Sequence, residues 1–265
     1  MIKRISAFAI SGLLVTGFAI ALYRNAKSAA RAPIDSIVRA HNVSPAPGIP
    51  AVFVATARRV TYRHTNSENG APPSFERRET VAYNGSAFIH DQSDPQGVLE
   101  QIDLLEKGKV YRTEIAEGRR TKTAAQLGGL DYESARFRTM AFGLIPVLEQ
   151  LREPTVEAGV AHPTEAGPEV LKVKTSTDTW TVYVDQGRRI QKIERGRNRH
   201  TLAIEYLDYR LVGGAQLPFT ERVFVDGRLT QELFFTRIDL APSFSEDQFS
   251  VEWLAKAGAR TSGSK

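Results

Sequence analysis

The chain has 265 residues, 42% hydrophobic and 25% charged, long enough for one sizeable core and with no internal repeat or composition break that calls for two domains. It has no cysteine, which excludes a disulfide framework, a thiolate metal site and a lipidated-cysteine anchor. The formal charge of +5 is a modest excess at this size, compatible with anionic partners such as lipid head groups.

Residues 1–32 read as an export segment with a short linker. Lys3 and Arg4 precede an uncharged apolar run over 5–22, the pattern of a signal peptide or of a single membrane anchor. Both stay open: Ala19-Ile20-Ala21 offers a small-x-small cleavage site, while the uncut run is just long enough to span a bilayer. Either way a single domain over 33–256 is expected outside the cytoplasm, periplasmic in a bacterial host, released or tethered to the inner membrane. Residues 257–265 are small and polar, a flexible tail.

Ile34, Ile37, Val38 and Ala40 share a helical face behind Pro33, which predicts a short docking helix over 33–40, then a connector over 42–50 rich in Pro, Ser and Gly. Strands are expected over 52–65, over 77–89 broken at Asn84-Gly85, and over 102–115 broken at Lys107-Gly108. Residues 66–73 and 91–97 have loop composition. The clearest helix covers 134–152, where Phe137, Met140, Ala141, Leu144, Ile145, Leu148 and Leu151 form an apolar stripe at spacings of three and four. Pro146 inside that stripe should free the carbonyl of Phe142 and kink the helix, with Gly143 adding permissiveness. Such a kink is either static or the hinge of a lid. Residues 153–169 carry three prolines and two glycines and read as a loop into a strand over 170–174.

From 180 to 249 the sequence reads as an antiparallel meander, with strands over 180–184, 201–207, 219–225 and 229–240. Turns fall at Asp185-Gln186-Gly187, Gly196-Arg197-Asn198, Gly213-Gly214 and Asp226-Gly227. A two-residue turn at the last would set Glu221 opposite Glu232, an unfavourable like-charge pair. A three-residue loop, Val225 to Gly227, avoids this and puts Phe219 and Val223 on one face with Leu229, Leu233 and Phe235. Glu221 and Gln231 are then the exceptions to an otherwise clean separation of faces. Ser245 is a candidate cap for a short turn after Leu240, with Phe244 and Phe249 as apolar plugs.

The order Thr179-Trp180-Thr181-Val182-Tyr183-Val184-Asp185, Tyr206-Leu207-Asp208-Tyr209, Gly214-Ala215-Gln216-Leu217-Pro218, Asp226-Gly227, Phe234-Phe235-Thr236-Arg237-Ile238-Asp239-Leu240, then Pro242 and Phe249, resembles the C-terminal half of the LolA-type outer-membrane lipoprotein carriers. The resemblance implies an α+β fold, an antiparallel half-open β-barrel covered by helices around an apolar cavity, and a family whose studied members carry or sense lipid-modified proteins. The expected ligand-binding lining is then Phe137, Met140, Leu144 and Leu148 from the helix, with Trp180, Val182, Tyr206, Phe219, Val223, Leu233 and Phe235 from the meander.

A catalytic reading finds little support. His41, His64, His90, His162 and His200 are scattered, and the sequence has no HExxH pair, GxSxG elbow or phosphate loop. His90-Asp91 with Asp94 lacks the ligand spacing of a calcium loop and reads as a solvated turn. No enzymatic activity, cofactor or metal is expected. The basic run Arg188, Arg189, Lys192, Arg195, Arg197, Arg199 and His200 reads as a solvated sheet edge, or as a docking patch for a membrane surface or an acidic protein; no nucleic-acid motif contains it. Two functions remain: an exported binding protein for a lipid or a lipidated protein, in lipoprotein or lipid trafficking, or a membrane-tethered interaction or sensory module of the same fold that carries no ligand.

Overall fold

A computed structural model of the chain describes residues 31–42, 52–62, 73–116, 119–120, 124–132, 135, 142–153, 155–160, 168–174, 179–197, 200–245 and 247–257. The expected export segment and flexible tail lie outside the described residues, apart from residues 31, 32 and 257.

Two antiparallel meanders make one sheet. The first runs through β1 (Phe53–Tyr62), β2 (Pro73–Tyr83), β3 (Ala87–Ser93), β4 (Leu99–Glu106) and β5 (Lys109–Ala116), with the two-residue strands β6 (Arg119–Arg120) and β7 (Ala125–Gln126) both on β5. The second runs through β8 (Glu157–Val160), β9 (Glu169–Lys174), β10 (Thr179–Val184), β11 (Ile190–Arg197), β12 (His200–Val212), β13 (Ala215–Val225) and β14 (Arg228–Asp239). They are fused where β1 pairs with β14, from Val54 opposite Asp239 to Thr61 opposite Gln231. Among the described residues the two ends of the sheet, at β6 and β8, do not pair. The chain thus has the α+β architecture expected, a half-open antiparallel barrel with helices.

Alternation along the strands divides the apolar residues between two faces. The concave face carries the larger core, with Phe53, Val81, Leu171, Val182, Ile193, Ile204, Val223 and Leu233 all buried. Two helices are packed into it: α1 (residues 31–41) brings Ile34 and Ile37, and α2 (Leu144–Leu151) brings Leu144, Leu148 and Leu151. Each such side chain stabilises the dock by about 1.5–3 kcal/mol. The convex face of β3–β5 is covered by α3 (Val251–Ala257) and the turn before it, through Phe249 and Leu254. The cap of α3 is Ser250, whose Oγ accepts the Trp253 N–H at 3.0 Å, rather than Ser245. His41, fully buried at the end of α1, lies within 2.8 Å of the Gln216 carbonyl through Nδ1 and accepts the Ile190 N–H at 3.2 Å through Nε2. One imidazole thus ties α1 to β11 and β13, and burial pushes its pKa down, which keeps it neutral.

Several sequence expectations are corrected. β3 continues to Ser93, so 91–97 is not all loop, and 153–169 contains β8. β11 runs through Arg197, which removes the expected turn at Gly196, and the first helix already includes residues 31 and 32. The segment over 134–152 is not one kinked helix. α2 starts at Leu144, after Gly143 at φ 85°, ψ 169°, so Pro146 falls in the first turn, where its missing N–H has no intrahelical acceptor to lose. The Asp226-Gly227 turn is a two-residue one, both residues at positive φ (51° and 77°), and closes on Val225 opposite Arg228. The like-charge clash is relieved instead by a bulge between Val223 and Phe224, which shifts Arg222 opposite Glu232 and Glu221 opposite Leu233. Arg222 Nε donates to Glu232 at 2.9 Å, Leu229 moves to the outer face opposite Phe224, and Gln231 turns inward.

The backbone at Gly143 lies in a region that is essentially glycine's alone. Gly143→Ala should lower stability by about 1–3 kcal/mol, whereas Pro146→Ala should change it by under about 1 kcal/mol. Urea unfolding checks both; a larger effect at Pro146 than at Gly143 would restore the kinked helix.

Candidate functional site

The expected lining gathers in one place. Leu144 and Leu148 on α2, Trp180 and Val182 on β10, Tyr206 on β12, Val223 on β13, and Leu233 and Phe235 on β14 are all buried in the concave core, with Phe219 partly buried against it. Phe137 and Met140 lie outside the described residues. Phe142, next to the start of α2, reaches the middle of the concave face, 5.5 Å from the His90 ring and edge-on to Phe235 at 5.4 Å.

Sequence reasoning missed the polar groups on the same face. Arg59 on β1 donates through Nε to Glu79 of β2 at 2.8 Å, and His90 Nε2 of β3 approaches the same carboxylate oxygen at 3.1 Å. Arg59 Nη1 donates to Gln231 of β14. All three charged or ionisable side chains are nearly or wholly out of water. Burial alone would raise the Glu79 carboxyl, but Arg59 and His90 overcome it and hold the group at about 2. The Glu79 carboxylate is therefore ion-paired with Arg59 and bonded to His90, which makes it a weak base near neutral pH, while His90 Nδ1 has no hydrogen-bond partner. His90 is thus not in a solvated turn. Asp91 points to the opposite face, where burial pushes its carboxyl to about 7.

On the other side of Leu233 the chemistry differs. Glu221 is wholly buried and directly opposite Tyr206, also wholly buried. Neither carboxylate oxygen of Glu221 nor the Tyr206 hydroxyl has a hydrogen-bond partner. Burial pushes Glu221 to about 8, the neighbouring Gly143 N–H and Arg59 offsetting only part without a hydrogen bond of normal geometry. Trp180 Nε1 is unpartnered too, two strands away on β10, with the Arg195 guanidinium 5.9 Å from its ring. A sequence signal for this site existed: Glu221 and Gln231 broke the alternation of the last hairpin, and Arg59 continues the inward positions of Phe53, Ala55 and Ala57.

The basic run does not lie on a sheet edge, and three of its described members make ion pairs. β11 lies between β10 and β12, Arg188 pairs with Glu169, Arg189 Nη2 with Asp185 at 2.7 Å and Lys192 with Glu194 at 2.8 Å. The side chains of Arg197, Arg199 and His200 lie outside what the structure describes. Among the described residues no group of three or more His, Asp or Glu is placed to hold a metal ion, and no helix is long and apolar enough to cross a membrane.

The two buried glutamates tilt stability in opposite directions with pH. Glu79, held below its ordinary 4.5, contributes fully above that value and loses its contribution as pH falls towards 2. Glu221, raised to about 8, binds its proton more tightly folded than unfolded, so stability falls as pH rises from 4.5 to about 8. Glu221→Gln should remove that decline, a difference of a few kcal/mol at roughly 1.4 kcal/mol per pH unit. Denaturant midpoints from pH 5 to 9 check it; parallel wild-type and variant curves would show Glu221 titrating normally.

No family model matches the sequence, and no curated protein matches it. Solved structures do match in shape, among them the following two. A LolA superfamily protein from Nitrosomonas europaea shares 12% identity at a TM-score of 0.55, over 85% of this chain and 99% of that one. A DUF1329 family protein from Desulfovibrio piger shares 11% at a TM-score of 0.59, over 85% and 98%. At these identities the likeness is one of fold, and the fold of this chain is LolA-like.

Proposed function

We propose that the chain is an exported, non-enzymatic binding protein that holds an apolar or lipidated ligand between the concave sheet and its helical cover, in lipid or lipoprotein trafficking. The observation that carries this reading is the convergence of all nine described lining residues in one core, seven from the concave face and two from α2 packed against it. A half-open barrel exposes more inner surface than its own strands can cover, so a helix or an acyl chain must fill it. α2 is a short cover of eight residues, entered through a glycine backbone, which suits an element that shifts as a unit. Each methylene buried beneath it would gain roughly 0.8 kcal/mol. The absence of enzymatic activity is supported by the Arg59–Glu79–His90 cluster, whose carboxylate is committed to its own partners. An export segment at the N-terminus supports action outside the cytoplasm, released or tethered.

The chain purified from membrane-containing cells without detergent should yield a stoichiometric lipid or acylated peptide on organic extraction and mass spectrometry. Leu144→Glu, which puts a charge in the α2 dock, should lose it. A wild-type protein that yields none and takes up no apolar fluorescent probe would leave the membrane-tethered interaction module as the reading.

A further inference from the structure

The unpartnered atoms at Tyr206 and Glu221 specify more about the ligand than its apolarity. A buried polar atom without a partner costs about 1–3 kcal/mol, and folded proteins pair nearly all of them. Here three such atoms meet on adjacent strands, since Tyr206 and Glu221 are direct cross-strand neighbours on the concave face. Around them the wall is apolar: Leu233 faces Glu221 on the other side, and Ile204 and Val223 form the next inward pair. Arg59, the nearest cation, is already engaged by Glu79 and Gln231 and is not free to answer them. Both oxygens of Glu221 can accept, and the Tyr206 hydroxyl can accept or donate. The Gly143 amide lies near the carboxyl without making a hydrogen bond of normal geometry, so a well-placed donor from outside the sheet is what the pair lacks among the described residues. An anionic headgroup would have to give up its hydration in an apolar site with no free cation to pair with, since Arg59 is already engaged.

We propose that the ligand carries a hydrogen-bond-donating headgroup, a hydroxyl, amide or amine, which docks between Tyr206 and Glu221 while its hydrocarbon lies along the apolar inner face of β9–β12. The inference rests on the binding reading above and adds the chemistry of the headgroup to it. The Gly143 amide, at the start of α2, lies over the same carboxyl, so the element that must move to admit the chain also covers the headgroup position. A hydroxyl or amine corresponds to a free lipid, an amide to an acylated protein N-terminus.

The test is displacement of the probe N-phenyl-1-naphthylamine from the full chain by five compounds that share one chain length: 1-dodecanol, dodecanamide, dodecylamine, methyl laurate and laurate. At least one of the three donors should displace the probe at a concentration about ten-fold lower than methyl laurate or laurate does, as one buried hydrogen bond implies. Which donor ranks first separates a lipid headgroup from an acylated protein. Tyr206→Phe and Glu221→Leu, confirmed folded by thermal unfolding, should bring that ratio to about one. The ratio, not the absolute affinity, is the readout. Equal displacement by all five compounds, or a ratio unchanged in both variants, overturns the headgroup inference and leaves apolar binding standing. A wild-type chain that never takes up the probe overturns the binding reading and this inference with it.

Discussion

The pairing of β1 with β14 is the constraint on which the rest of the molecule depends. Each meander could form from local hairpins, but a sheet of five or seven strands with one apolar face still needs a cover. Fusing the two along Val54 to Thr61 makes one sheet wide enough to curl, and the curl makes a concave side into which α1 and α2 can pack. The strands at the seam carry the unusual chemistry. Arg59 stands on β1 at this junction, bonded to Glu79 on one side and to Gln231 across it on the other. A buried ion pair is weak evidence for added stability. Placed here it fixes which strands may be neighbours, because any slip of β1 by one residue would turn Arg59 outward and leave Glu79 buried without its cation.

From that seam the concave face divides. Towards β2 and β3 its polar groups engage one another, Arg59 and His90 on Glu79 and Arg77 on Gln92, although His90 Nδ1, Arg77 Nε and Gln92 Nε2 have no partner. Towards β12 and β13 Tyr206 and Glu221 stay unanswered. Phe142 stands between the two regions, against His90 and Phe235, and Gly143 turns the chain from there into α2. The division matters for function because a carboxylate held by its own cation can serve as a fixed wall, while a carboxyl and a hydroxyl with no partner in an apolar basin are a reason for a ligand to stay. The outer face mostly follows ordinary rules, with Asp91, whose buried carboxyl has an unpartnered oxygen, an exception. Its charges pair across strands, as with Arg222 and Glu232, and α3 seals the apolar patch of β3–β5.

Most local structure could be read from the residues. The hairpins at Asn84-Gly85, Lys107-Gly108, Gly213-Gly214 and Asp226-Gly227 are where turn chemistry puts them, and the apolar stripe of 144–151 is a helix. The errors also have physical causes. Proline inside an apolar stripe looked like a kink because the stripe was taken to continue through Gly143, whereas the backbone breaks there and restarts. The argument from Glu221 against Glu232 was sound as electrostatics but offered one remedy, a longer loop, when a bulge inside the strand achieves the same separation. The basic run looked like an edge because charge in a strand usually marks one. Its acidic partners come from its own and neighbouring strands.

What the sequence by itself determined was most of the strands, the positions of most of their turns, and the resemblance to the LolA-type fold in the last third of the chain. These rest on interactions within a few residues of one another, which composition and period expose. Only the tertiary structure decided that β1 meets β14, that Arg59, Glu79, His90 and Gln231 share one buried cluster, and that Tyr206 and Glu221 face each other with nothing between them. Residues 59 and 231 meet only once both meanders have folded, and no local periodicity encodes a contact between segments so far apart. Glu221 was visible as an exception to the alternation; that the exception lies inside, without a partner, is a property of the closed concave face.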